Sequence, residues 1–255
     1  MRQLQNKVAL ITGGTAGIGL ATAQRFTEEG ATVYITGRRQ SELDTAATKS
    51  GAIPVQGDVA NPADLDRLYA QIRADGHRLD VLVANVGVGD FVRLEDITED
   101  HYDRIFDTNV KATLNTVQKA LPLLNDGASI VLVTSIASVT HQEGLSVYSA
   151  SKAAVRSFAR SWARELSPRN IRVNAMSPGS TDTPAVDAAL TAAGLTDKSA
   201  RDAWKTNHVA TIPLSRVSQP EEQAAAILFL ASPQSTYVTG TELVTDGGTT
   251  TGLNL

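Results

Sequence analysis

Tyr148 and Lys152 stand four residues apart in the run Tyr148-Ser149-Ala150-Ser151-Lys152, with Ser135 a short way upstream. If the segment is helical, as Ala150, Ala153, Ala154 and the run to Leu166 suggest, residues at this spacing share a face and their polar tips can meet. An ammonium beside a phenol favours the phenolate, so the pair is a device for moving a proton near neutral pH. Alone it carries little weight, because tyrosine and lysine four apart are common on solvated helix faces. What decides is whether the rest of the chain builds elements that bring complementary chemistry to the same place.

The chain has 255 residues, 42% hydrophobic and 20% charged, with a formal net charge of −4 and no cysteine. That size can bury a sizeable core and suits an α/β fold run as one domain over 1–255. The acidic balance gives no electrostatic case for nucleic acid or an anionic membrane as partner. Without cysteine there are no disulfides, thiolate metal sites or thiol catalysis, which fits a reducing compartment. Met1 to Leu10 contains no long apolar stretch, and no apolar run approaches the ~18 residues a membrane helix needs. A cytoplasmic protein is the expectation. His77, His101, His141 and His208 lack metal-ligand spacing, so no metal is expected, and each reads as structural or surface. His141 is set apart because it lies between Ser135 and Tyr148.

Taken in order, Lys7 to Thr12 is a near-continuous apolar strand signal, as for a strand covered on both faces. It runs into Thr12-Gly13-Gly14-Thr15-Ala16-Gly17-Ile18-Gly19, then a helical stretch from Ile18 to Glu29 ending on Gly30, then a β-branched run from Thr32 to Thr36. Strand, glycine turn, helix, strand is the dinucleotide-binding context. Glycines there allow a tight turn, close approach of backbone to a pyrophosphate and tight packing of helix on strand. The amides and positive end of the helix then face the phosphates. The spacing Gly-x-x-x-Gly-x-Gly is a variant of the commoner fingerprint.

A carboxylate at the end of the second strand would bind a ribose 2′-hydroxyl. This chain has Thr36-Gly37-Arg38-Arg39 instead. Gly37 leaves room, and the guanidiniums of Arg38 and Arg39 offer donors for a 2′-phosphate, which reads as NADP(H) rather than NAD(H). The bland alternative is a solvated basic pair. Against it, cations ahead of the helix from Gln40 to Lys49 oppose its macrodipole, which an external phosphate would rationalise.

Pro54 marks the third strand, Ile53 to Gln56, as an edge. Asp58, followed by Val59, either reaches an adenine amino group or caps a turn. Asn61 and Pro62 form an N-cap and first-turn pair for a helix running to Ala74. A fourth strand, Asp80 to Ala84, leads to Asn85-Val86-Gly87. A helix opened by Thr98 and another from about Thr108 to Leu124 follow, with Asn109 at the start of the second. Ser129 to Thr134 is a fifth strand with Ser135 at its C-terminal end, where ligands bind in open parallel sheets. Val155, Phe158 and Trp162 give the helix carrying Tyr148 an apolar packing stripe. Arg172 to Met176 is a sixth strand followed by Ser177-Pro178-Gly179. The stretch 180–216 has weak periodicity and reads as a partly helical lid. Pro220 to Leu230 is a helix, and Thr241 to Thr245 a final strand.

These motifs, in this order and spacing, resemble the short-chain dehydrogenase/reductase family in its single-domain branch of about 250 residues. The resemblance covers almost the whole chain. It implies a Rossmann-type doubly wound α/β sheet of about seven parallel strands with helices on both faces. In that comparison Gly13, Thr15, Gly17, Ile18 and Gly19 fall in the cofactor loop, and Arg38, Arg39, Asp58 and Val59 lie toward its adenosine half. Asn85-x-Gly87 resembles the motif after strand four, Asn109, Ser135, Tyr148 and Lys152 the catalytic tetrad, and Pro178, Gly179, Thr181 and Thr183 the contact to pyrophosphate and nicotinamide. Val86 departs from the usual alanine. Ala16 stands where some NADP(H) members carry a basic residue, so cofactor choice rests on Gly37 and the two arginines.

The resemblance implies reversible hydride transfer to a ketone or aldehyde carbonyl. Tyr148 would exchange the proton and Ser135 would bind the same oxygen. Lys152 would hold the ribose and lower the phenol, since moving a phenol from about 10 to about 7 takes roughly 4 kcal/mol and one ammonium at about 4 Å supplies about that. Asn109 would order a helix bend and a proton-relaying water. Ile136, His141 and Leu145 are expected on the substrate side with Ser135 and Tyr148, along with the lid and Trp204. Val88, Val139, Leu145 and Val186 favour a hydrophobic carbonyl. A 3-oxoacyl thioester, a sugar or polyol, and a silent cofactor-binding sensor are the rival readings. The family also implies a homotetramer pairing the helix after Asn109 with the one carrying Lys152.

Overall fold

The computed structural model describes residues 2–140, 142–192 and 194–251. Seven strands form one sheet: β1 (Val8–Thr12), β2 (Thr32–Gly37), β3 (Ile53–Gln56), β4 (Leu79–Ala84), β5 (Leu124–Val133), β6 (Arg172–Pro178) and β7 (Glu242–Thr245). All neighbours pair in parallel in the order β3-β2-β1-β4-β5-β6-β7. The strand order reverses between β1 and β4, which opens a crevice at the carboxyl ends of those strands. Pro54 does sit on the edge strand, where its missing N–H costs no ladder bond.

Strand residues alternate between two cores, as a period of two requires. Leu10, Tyr34, Leu82, Ile130, Leu132 and Val173 face one layer, which is closed by α3 (Pro62–Ala74), α5 (Ala112–Ala120) and α6 (Ser146–Glu165). Ala9, Ile11, Val33, Ile35, Val83 and Val131 face the other, closed by α1 (Gly17–Glu28), α2 (Gln40–Ser50) and α9 (Pro220–Ala231). Helices on both faces explain why the strands read as near-continuous apolar runs. The predicted caps form: Asn61 accepts from the Ala63 amide at 3.1 Å, and Thr98 accepts from the His101 amide at 3.1 Å to start α4 (Glu99–Phe106).

Two boundaries differ from the sequence expectation. β5 begins at Leu124 rather than Ser129, because Leu124 pairs with Leu79 before a register shift carries the chain through Asn125 to Ala128. Gly127, at φ 80°, makes that bulge, and its Asn-Asp-Gly context resembles a turn when read without the neighbouring strand. The long helix expected from Thr108 to Leu124 is instead a π-type turn over Asp107–Lys111 followed by α5, which ends at Ala120. Within 180–216 the chain forms α7 (Pro184–Ala192) and α8 (Lys198–Val209). The ends of this stretch are tied together: the Ser218 amide donates to Ser180 and the Asp182 amide to Ser218, both at 2.9 Å.

Candidate active site

The first two turns of α6 carry Tyr148 and Lys152 on one face. Lys152 is only 4% exposed. Its ammonium lies 5.8 Å from the centre of the Tyr148 ring and donates to the Val133 carbonyl at 3.2 Å. Burial pulls the lysine down to about 8. Tyr148 is half-buried, and burial pushes its phenol above the ordinary 10 while the Ser135 hydroxyl pulls it down. The expectation of a phenol lowered by Lys152 is therefore not met in the protein by itself. A buried phenolate is costly, and the lysine points at the end of β5 rather than directly at the phenol oxygen.

Ser135 follows β5 and opens a single tight turn, Ile136–Ser138, with its Oγ accepting from the Ala137 amide at 3.1 Å. Asn109 is fully buried at the middle of the π-type turn. Its Nδ2 donates to the Val88 carbonyl and to Ser151 Oγ, each at 2.9 Å, and its Oδ1 accepts from the Val88 amide at 2.8 Å. The predicted bend at Asn109 is thus present as a π-type turn. Its backbone carbonyl already accepts the Thr113 hydroxyl at 2.7 Å, so a relaying water would share that oxygen.

The glycine loop packs against these elements as the close-approach argument requires. Gly13 and Gly17 have φ of 64° and 51°, a region side chains disfavour. A Cβ at Gly19 would lie 2.1 Å from the Gly13 carbonyl oxygen. Asn85 latches the loop, donating from Nδ2 to that same oxygen at 3.2 Å, while its amide donates to Thr12 Oγ1 at 3.1 Å. Ile18 packs on the core. Thr183 sits over the loop, its Cγ2 3.0 Å from where a Gly17 Cβ would be. Gly87 opens onto Lys152: a Cβ there would be 2.7 Å from Nζ. Gly179 lies against Asp246, and its amide continues the β6 to β7 ladder by donating to Thr245 at 3.0 Å.

Several predicted contacts have other partners. Gly37 is filled by its neighbour Thr15, whose Cγ2 would stand 2.4 Å from an added Cβ, so the glycine serves packing of the loop on β2 as well as open space beyond it. Arg39 pairs with Glu42 one helical turn on. Both guanidiniums are largely exposed, and Arg38 is the less tightly paired, its nearest carboxylate oxygen on Asp58 being 4.0 Å away. Asp58 caps the turn through Oδ1, which accepts from the Ala60 amide at 2.9 Å, while its Oδ2 stands 4.0 Å from Arg38. Val59 turns into the core at 5% exposure. Thr181 is also 5% exposed, and its hydroxyl engages the Gly179 carbonyl at 3.1 Å and the Ser218 hydroxyl at 2.9 Å. Pro178 closes β6. Ile136 and Leu145 are half-buried beside the tight turn and the start of α6. His141 lies outside the described residues. His77 bonds Tyr34 at 2.7 Å, and His208 bonds Ser180; among the described residues there is no cluster that could hold a metal.

Two residues that the sequence reading passed over complete the surroundings. Gly89 lets the loop after β4 lie on the Tyr148 ring, where a Cβ would be 2.6 Å from Cδ2. Ser151 is fully buried, and its hydroxyl donates to the Tyr148 carbonyl at 2.7 Å. Nothing in the spacing signals the first; the second lies inside the Tyr148–Lys152 run but shows its partners only in three dimensions. A cavity of about 490 Å³ opens elsewhere, near Ser180, Arg216, Glu222 and Asp246. Its charged walls are already paired, with Arg216 donating to both Glu222 oxygens at 2.7 Å and Asp246 accepting from the Gly248 and Thr250 amides.

The residues present fit a bound dinucleotide. The glycine cradle would be blocked by any Cβ at Gly19, and the buried Lys152 ammonium has three donors for the single carbonyl it contacts. A family model described as "Enoyl-(Acyl carrier protein) reductase" matches residues 13–250. The chain is 44% identical over 252 residues to "Oxidoreductase asL5" of Sarocladium schorii, covering 97% of each. It is 37% identical over 253 residues to a 3-oxoacyl-(acyl-carrier-protein) reductase of Thermotoga maritima, covering 96% of this chain and 98% of that one. A solved structure of a "short chain dehydrogenase/reductase family protein" superposes with a TM-score of 0.84 at 38% identity, covering 96% and 97% of the two chains.

Proposed function

The chain belongs to the short-chain dehydrogenase/reductase family of oxidoreductases, and on that premise we propose that it is an NADP(H)-dependent reductase converting a ketone or aldehyde carbonyl reversibly to an alcohol. The observation that carries this reading is the convergence of Ser135, Tyr148, Lys152 and Asn109 beside the glycine loop, at the carboxyl ends of β4 and β5. Bound there, a nicotinamide dinucleotide supplies or accepts the hydride. The amides of the loop and the start of α1 hold its pyrophosphate, Asn85 keeps the loop in shape, and Lys152 donates to the ribose hydroxyls. Pro178, Gly179 and Thr183 border the nicotinamide side.

Proton transfer falls to Tyr148. A phenol held above its ordinary pKa stays protonated at neutral pH and is ready to donate to a carbonyl oxygen as negative charge develops there. Ser135 donates a hydrogen bond to that same oxygen and fixes its distance from the phenol. Asn109 holds the loop after β4 against α6 through its bonds to Val88 and Ser151. With all four residues in place, a catalytically silent sensor is the weaker reading.

Arg38 supports NADP(H), since of the two exposed arginines after β2 it is the one less tightly paired with a carboxylate, and no carboxylate replaces Gly37. The apolar Val88, Val139, Leu145 and Val186, with α7 and α8 taken as the lid, favour a hydrophobic carbonyl. The Thermotoga relative makes a 3-oxoacyl thioester the leading alternative. We further propose a cytoplasmic homotetramer. Leu114, exposed on α5, leaves apolar surface that supports pairing through α5 and α6. The test is NADPH oxidation over a panel of ketones, aldehydes, 3-oxoacyl thioesters and sugars. Turnover of hydrophobic carbonyls supports the reading, and inertness across the panel overturns it.

A further inference from the structure

We infer that Ser151 is a positioning residue for Tyr148, joining the loop after β4 to the backbone of the tyrosine and so setting where the phenol stands relative to Ser135. The inference rests on the proton-donor role proposed above. A continuous chain of bonds runs from half-buried Val88 through the fully buried Asn109 and Ser151 to the Tyr148 backbone. The Val88 amide and carbonyl grip the Asn109 carboxamide from both sides, at 2.8 and 2.9 Å. The remaining Nδ2 proton of Asn109 goes to Ser151 Oγ at 2.9 Å, and Ser151 donates its own proton to the Tyr148 carbonyl at 2.7 Å. Asn109 and Ser151 are both 0% exposed, so water cannot replace a missing partner.

A serine hydroxyl bonding a carbonyl three residues back is a common local contact in helices and would mean little by itself. Here the same hydroxyl also accepts from a different element, which turns a local bond into a joint between the π-type turn and the first turn of α6. Gly89, from the same loop as Val88, presses on the face of the Tyr148 ring. The loop therefore grips the tyrosine at two points, its ring through Gly89 and its carbonyl through Asn109 and Ser151. Without the serine hydroxyl, one Asn109 proton loses its acceptor and the carbonyl is freed, so the first turn of α6 can shift against Ser135.

The consequence has a definite sign. The Ser135 hydroxyl lowers the Tyr148 pKa, so a phenol that drifts from Ser135 loses that contribution and titrates at higher pH. A purely structural serine would cost stability and leave the titration in place. The chain holds five tyrosines, so in protein labelled with carbon-13 at Cζ the Tyr148 resonance is assigned by its loss in Tyr148→Phe.

The experiment compares wild type, Ser151→Ala, Ser135→Ala and the double variant, with Ser151→Cys as a gentler change should the alanine form fail to fold. Ser151→Ala is expected to move the Tyr148 resonance in the same direction as Ser135→Ala, with no further movement in the double variant. It is also expected to lower kcat about tenfold at nearly unchanged KM, and to shift the pH limb of kcat upward. Ser151→Cys should show the same changes at smaller size. An unmoved resonance with kcat within about twofold, or fully additive shifts in the double variant, would overturn the inference. The resonance is read without turnover, so an enzyme inert on every carbonyl tested would sink the proposed reaction while still reporting on Ser151.

Discussion

Burial holds the Lys152 ammonium at about 8, well below its ordinary 10.5, so between those values the unfolded chain binds more protons than the folded one. The stability of the cofactor-free protein should accordingly rise with pH across that window, as far as this group is concerned, and carry the full penalty at neutral pH. Lys152→Met removes the penalty together with one bond to Val133, and we expect a net gain on the order of 1 kcal/mol at neutral pH that fades toward pH 10. Urea unfolding at the two pH values measures it; a loss of stability at neutral pH would mean that the buried ammonium is better solvated than its surroundings suggest. The same variant should be inactive, as expected where a strained site is retained for chemistry. The two arginines separate in the same residue-by-residue way. Arg39 is engaged with Glu42, so Arg38→Ala should raise KM for NADPH about tenfold and leave NADH little changed, while Arg39→Ala should do much less. Equal losses with both cofactors in Arg38→Ala would refute the 2′-phosphate role. The residue types were legible in the sequence, but their commitments were not: Asp58 as a turn cap, Thr15 against Gly37 and Glu42 on Arg39 depend on distances that spacing alone does not supply.

At the level of elements, the strand–turn–helix opening, the caps at Asn61 and Thr98 and the edge position of β3 were all readable, because each depends on local chemistry. What was not readable depends on a neighbour. The β5 bulge needs the β4 register to reveal it, and the π-type turn is stabilised by bonds from Asn109 to Val88 and Ser151, which are distant in sequence. The loop after β4 likewise shows its role only through contact. Gly89→Val places a side chain where the Tyr148 ring stands, and the prediction is a fall in kcat of at least tenfold with the fold retained. Circular dichroism and steady-state kinetics together check it; unchanged kcat would show that the loop does not fix the ring. Gly19→Ala meets backbone rather than a movable side chain, so it should weaken NADPH binding and lower the thermal midpoint, both readable by thermal unfolding with and without the cofactor.

For the whole molecule, the strand order explains why residues scattered from Gly13 to Thr183 share one crevice: β1, β4, β5 and β6 all end on the same edge of the sheet. Their convergence, more than any motif alone, gives the Tyr148 and Lys152 pair its meaning. Assembly belongs to this scale too. Light scattering should give about four times the chain mass of 26.9 kDa, and Leu114→Glu on the outer face of α5 should shift it to smaller species; a monomeric wild type would remove the tetramer from the account. The most direct test of the central claim is NADPH oxidation by Tyr148→Phe beside wild type over the carbonyl panel, with NADPH binding measured on the same samples. Wild-type turnover with the variant binding NADPH normally but turning over nothing is the predicted result, and substantial turnover by the variant would contradict it.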